Sequence, residues 1–335
     1  MIPCLFGENM NTPNQIENEK RQGSIVLYTP GHHLVTDSLI MHGIVRYLTW
    51  ADVNIDSVKI RRLGERFIIE IGKPNSIKED EAKQILASLQ DQAVKGILSG
   101  GDYIYLTRFF EKIVAANLNR PAFIEWVRQF SQAITKFYFE SVRIYEDYDH
   151  VENKGEGRVS AGHPTLYLPL GPLNDCSVIE QVLHKDCYVA KREYPTYKVC
   201  YTCFLFANLG LVYGSGVVRI HSNYNDIATM RAISVMYTLI PADEARMIDV
   251  ALVQRMLENN HEVYDLEKAD TNAALMPSII EKLSNALSDA MNTFRMNALV
   301  WALTWQPTYK VVTIREFDKP DPSLILKNLY LIYMA

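Results

Sequence analysis

Cysteine is sparse in this chain, with five residues in 335. Secreted folds stapled by disulfides carry a far denser set, so that class is excluded. Glycine and proline are also thin, at 16 and 14, which excludes fibrous and low-complexity repeats. No apolar run approaches the roughly 20 residues that a membrane-spanning helix needs. The N-terminus, MIPCLFGENMNTPNQ, has no basic stretch ahead of its short apolar patch, so no secretory signal is expected. These absences predict a soluble, cytoplasmic protein. An excess of cations is missing too: 34 Lys and Arg face 39 Asp and Glu, for a net charge of -5. Binding nucleic acid through bulk charge is therefore excluded, and any such contact must use a local basic patch.

Familiar catalytic signatures are absent as well. No phosphate-binding Gly-x4-Gly-Lys-Ser/Thr loop, no His-Glu-x-x-His zinc motif and no Gly-x-Gly-x-x-Gly turn after a strand occurs. Gly214-Ser215-Gly216 lacks the spacing of a nucleophile elbow. What the chain does have is a 48% hydrophobic fraction, ample for a buried core.

That apolar material is patterned. SIVLYT at 24–29 reads as a buried strand stopped by Pro30-Gly31, and Thr36 or Asp37 can cap a helix running to Trp50. Val53–Arg62 and Arg66–Ile71 read as two strands around Leu63-Gly64-Glu65. Residues 79–95 and 121–143 carry helical periodicity, and the Gly- and Pro-bearing stretch 144–175 reads as irregular. A cysteine-bearing segment spans 176–203, and an apolar run, YTCFLFANLGLVYG, follows to Gly214. Helices are predicted over about 225–240, 242–258, 274–304 and 321–333, with a strand at 309–317. The resulting expectation is an α+β fold. A mixed domain with a small sheet covers 1–223, and a mainly helical domain covers 224–335.

Four groups of residues could carry chemistry. Cys176, Cys187, Cys200 and Cys203 could supply thiolates to zinc, the last two as a Cys-x-x-Cys turn, with His184 as a substitute donor. The first pair is ten residues apart, so no second knuckle exists. The aromatic neighbours of Cys200 and Cys203 favour packed thiols, and no cofactor is expected. Gly100-Gly101-Asp102 could form a Mg²⁺-binding turn for nucleotidyl or phosphoryl transfer, with Glu70 or Asp147 as the second carboxylate; the adjacent Tyr103 breaks the usual acidic pair. His32, His33 and His42 could ligate a metal, but no carboxylate completes a site.

The fourth group is basic. Lys59, Arg61, Arg62 and Arg66 place four cations within eight residues of a ribbon, a pattern able to track phosphates. Lys191, Arg192 and Lys198 alternate with Tyr188, Tyr194 and Tyr197, which suits stacking on single strands. Lys154 and Arg158 add two cations on the loop between.

Three stretches resemble one known family. YTPGHHLVTDSLIMHGIVRYL (28–48), KVCYTCFLFANLGL (198–211) and the C-terminal portion resemble the large subunit of archaeal type I-A CRISPR interference complexes. The resemblance implies a non-catalytic subunit of a ribonucleoprotein. Its partners would be guide RNA, target DNA, the backbone and small subunits, and the helicase-nuclease. It implies help in recognising the motif beside a target and in stabilising opened strands, while base pairing reads the sequence.

Overall fold

In the computed structural model the described residues are 24–31, 34–72, 78–98, 120–135, 139–148, 158–160, 198–222, 231–258, 261–266, 287–305 and 310–318. They form three sheets around a helical core, an α+β arrangement.

The first sheet is built from β1 (Ile25–Tyr28), β2 (Val58–Leu63), β3 (Arg66–Ile71) and β8 (Glu244–Arg246). Its order is β1-β3-β2-β8, and every neighbour is antiparallel. Gly64 turns the β2–β3 hairpin at φ +61°, a conformation glycine adopts without penalty. The second sheet uses β6 (Gly216–Ser222), β7 (Arg231–Pro241), β9 (His261–Leu266), β10 (Met296–Trp305) and β11 (Lys310–Phe317), in the order β11-β10-β7-β6-β9. All its pairs are antiparallel except β6 with β9. The third is a ribbon of β4 (Arg158–Ser160) and β5 (Lys198–Cys200).

The α-helices that matter for packing are α1 (Leu34–Trp50), α2 (Glu79–Leu98), α3 (Arg120–Thr135), α4 (Tyr201–Tyr213) and α5 (Met247–Glu258). In α1, 13 of 17 residues are buried, and in α4 10 of 13. Helices apolar on every side cannot lie on a surface, so these two form the centre. They cross with backbones touching. A Cβ on Gly43 would overlap the Phe206 carbonyl, and one on Gly210 would overlap that of Leu39. Tyr47 and Tyr145 pack on Phe206 beside the crossing.

The front of the chain follows expectation closely. The strand before Pro30, the helix ending at Trp50, the hairpin turn at Gly64 and the helix from Glu79 are all present. But α1 starts at Leu34, ahead of the expected cap at Thr36 or Asp37, and the strand expected from Val53 begins at Val58 after a 3₁₀ turn, Ile55–Ser57. The helix predicted over 121–143 ends at Thr135, and a 3₁₀ segment, Phe139–Glu146, follows.

The back half needs correction. The helices expected over 225–240 and 274–304 are largely strands: 231–241 is β7 and 296–305 is β10. Only 287–294 of the latter span is helical among the described residues. Both segments are long apolar runs, which periodicity cannot separate from a buried helix. Their β-branched content, as in Ile233, Val235, Thr238 and Ile240, is the signal that decides for strand. The α+β class holds, but the described portion after 223, expected to be mainly helical, is more sheet than helix. Residue 223 itself falls between β6 and β7, paired strands of one sheet. The predicted helix at 321–333 lies outside the described residues.

Candidate nucleic-acid interface

The basic hairpin forms as expected, but its four cations already have partners. Lys59 Nζ lies 3.2 Å from Glu244 on β8, and Arg61 lies 3.5 Å from Glu70 on β3. Both are solvent-facing pairs, with Lys59 60% and Arg61 40% exposed. Pairs of this kind contribute about 0–1 kcal/mol each, so a phosphate can displace the carboxylate at small cost.

Arg62 is different. Its guanidinium grips both carboxylate oxygens of Glu316 on β11, and its Nε–H donates to Gly64 O at 2.9 Å. Asn297 Nδ2 donates to the same carboxylate at 2.8 Å. Burial pushes the Glu316 carboxyl up, but the donors from Arg62 and Asn297 outweigh it and hold the group below its usual range. Arg62 therefore straps the first sheet to the edge of the second. Arg66 lies 4.0 Å above the Tyr148 ring and donates to Tyr148 O at 2.6 Å. Its charge is spent inside the protein.

Arg158 and Lys198, assigned from different sequence clusters, come together in the β4–β5 ribbon. In its register Arg158 is opposite Cys200 and Ser160 opposite Lys198. Lys154, Lys191 and Arg192 lie outside the described residues.

The metal and catalytic candidates fare differently. His42 is fully buried in the core. Its Nε2–H donates to Leu239 O at 2.8 Å and lies 3.0 Å from Thr238 Oγ1, which donates to Gly214 O. Nδ1 accepts from Gln254 Nε2, which also donates to His42 O. A neutral tautomer thus satisfies both ring nitrogens. Burial, opposed by the Leu239 carbonyl, lowers its pKa to about 4. This imidazole joins α1, α5 and β7 and is no metal ligand. His32 and His33, and the Gly100-Gly101-Asp102 turn, lie outside the described residues. Glu70, offered as a partner carboxylate to Asp102, is engaged by Arg61. Asp147 follows the 3₁₀ segment, and its N–H donates to Ile144 O.

Cys200 is the N-cap of α4, and its sulfur accepts from Cys203 N–H at 3.3 Å. Cys203 is buried, and Tyr145 Oη donates to its sulfur at 3.4 Å. Burial first, then the adjacent Cys200, pushes the Cys203 thiol well above its ordinary value. Cys176, Cys187 and His184 lie outside the described residues. Among the described residues no group of three or more His, Cys, Asp or Glu could hold a metal ion, and no helix is long and apolar enough to cross a membrane.

One cluster has no counterpart among the sequence candidates. Arg46 lies 4.3 Å from the Tyr213 ring and 5.5 Å from Trp50, and it pairs with Glu258 at 3.4 Å. Trp50 meets Tyr213 edge-on at 5.4 Å. The cluster closes the ends of α1, α4 and α5 together. The Arg46-to-Trp50 spacing of four, one helical turn, was the available signal.

Comparison with known proteins agrees with the resemblance seen in the sequence. Residues 25–333 match the family model described as CRISPR-associated protein (Cas_Csa4). A curated relative, the "CRISPR system associated protein Cas8" of Thermoproteus tenax, is 26% identical over 245 residues. The match covers 69% of this chain and 62% of that protein, so the chain spans under two thirds of the relative's length. With nearly all of the described fold inside the family match, the chain belongs to the CRISPR-associated Cas_Csa4 family.

Proposed function

We propose that the chain is a non-catalytic large subunit of a type I-A CRISPR ribonucleoprotein. In that role it helps recognise the motif beside the target DNA, stabilises the opened strands and offers a platform for the helicase-nuclease. The family match over residues 25–333 carries this reading. The structure supports it in kind. A mildly acidic body offers displaceable surface cations at Lys59 and Arg61, and Arg158 and Lys198 belong to the paired strands of one ribbon. Guide RNA and the backbone and small subunits would supply the rest of the nucleic-acid grip. Arg62 and Arg66 are withdrawn from the proposed interface, because their guanidiniums hold the fold together.

Two experiments test this. Copurification from cells carrying the interference genes should bring down guide RNA and the neighbouring subunits; recovery of the chain alone would overturn the proposal. Within the assembled complex, Lys59→Ala with Arg61→Ala should weaken binding of motif-bearing duplex. The salt slope should fall by about 0.9 for every phosphate the protein no longer neutralises. An unchanged affinity and slope would remove this hairpin from the interface.

A further inference from the structure

We propose that Cys200 and Cys203 form a dithiol site that reacts with low-molecular-weight disulfides and closes to an intrachain disulfide. Three observations on the structure carry this. The two residues are N-cap and third residue of α4, and the Cys203 N–H donates to the Cys200 sulfur, so the Cys200 side chain already folds back over the first turn. The Cys200 sulfur thus stands 3.3 Å from the Cys203 backbone nitrogen, on the side of the turn from which a bond to the Cys203 sulfur would form. Access is also unequal: Cys200 is half-buried and open to solvent, whereas Cys203 is sealed beneath it. Finally, the buried Tyr145 hydroxyl donates to the Cys203 sulfur at 3.4 Å, which holds that sulfur at the joint between α4 and the 3₁₀ segment.

The chemistry balances with an external disulfide as oxidant. The Cys200 thiolate attacks one sulfur of the reagent, forming a mixed disulfide and expelling one thiolate. The Cys203 thiol gives its proton to the thiolate just expelled and, as thiolate, attacks the Cys200 sulfur, forming the Cys200–Cys203 bond and expelling the second thiolate. Two protein thiols lose their protons and two electrons in total, and one reagent disulfide becomes two thiols. Half-buried Cys200 is the entry point and buried Cys203 the resolving group. Cys200 also ends β5 and lies opposite Arg158, so closure would fix the joint between the β4–β5 ribbon and the central helix.

Both cysteines fall in one tryptic peptide, from Val199 to Arg219, which makes the test direct. The folded chain is treated with oxidised glutathione, quenched in acid, alkylated and digested. The expected result is that this peptide becomes lighter by two hydrogens and takes no alkyl group, and that dithiothreitol restores double alkylation. In Cys203→Ala, a glutathione adduct should accumulate on Cys200. The oxidised wild-type should unfold at an unchanged or higher denaturant midpoint, because the bond fits the native turn. Double alkylation after oxidant, or an adduct on the wild-type that never resolves, would overturn the proposal. A lowered midpoint would do the same, since closure would then require opening α4. Alkylation that needs prior treatment with a chelator would overturn it too, by assigning the thiols to a metal.

Discussion

The α1–α4 crossing and the β2–β3 hairpin deal with polar groups in opposite ways. The crossing is apolar and tight, and the His42 imidazole that enters it is held neutral by three partners. The hairpin is charged, and each of its cations meets a carboxylate or an aromatic ring. The contrast teaches that charge on a ribbon is a poor guide to a binding face until its partners are known. Arg62 and Arg66 look like Lys59 and Arg61 in the sequence. In the fold two are struts and two remain displaceable.

The largest effect that would break this contrast is at the crossing. Gly43→Ala or Gly210→Ala places a Cβ on a backbone oxygen that cannot rotate away. Either should cost about 3 kcal/mol or more, or prevent folding, as read from denaturant unfolding. A loss under about 1 kcal/mol would mean the helices are further apart.

His42 comes next. Its folded pKa of about 4 lies below the ordinary 6.5. The unfolded chain therefore binds the extra proton first. Its contribution to stability is complete above pH 6.5 and is lost as pH falls from there to about 4, on the order of 3 kcal/mol in all. His42→Leu removes that pH dependence. It also leaves Leu239 O without its donor, while Gln254 keeps its bond to the backbone oxygen of residue 42, at about 2 kcal/mol near neutral pH. A pH profile identical to wild type would place the titration elsewhere.

The hairpin sets a smaller scale. Arg62→Ala should cost about 1.5 kcal/mol. Part of the Glu316 contribution should vanish in acid, since its lowered pKa makes stability fall as pH drops below the usual glutamate value of 4.5. Lys59→Ala should change stability by less than about 0.5 kcal/mol. Equal losses at both positions, measured by denaturant unfolding, would erase the distinction between strut and surface pair.

The front half was legible because its signals are local. The turn at Gly64 and the acidic first turn of α2 each announce themselves within a dozen residues. The back half was not, because β7 and β10 are defined by each other. Met296–Trp305 lies along Ala232–Pro241 in register, and neither segment alternates enough to betray a strand. The site was half legible for the same reason. Cations could be found by eye, but Glu244 and Glu316, which neutralise Lys59 and Arg62, lie on β8 and β11, far along the chain.

That distance governs what the nascent chain experiences. Lys59 and Glu244 are 185 residues apart, so β8 cannot cover the β2 edge until most of the protein has left the ribosome. At ordinary synthesis rates this leaves the edge open for about 10–40 s. An unpaired strand invites pairing with another chain, and charged side chains are the common protection against it. Lys59 and Arg61 stand on that edge throughout the wait. Removing them should therefore lower the yield of soluble protein during expression more than it lowers the stability of what has already folded.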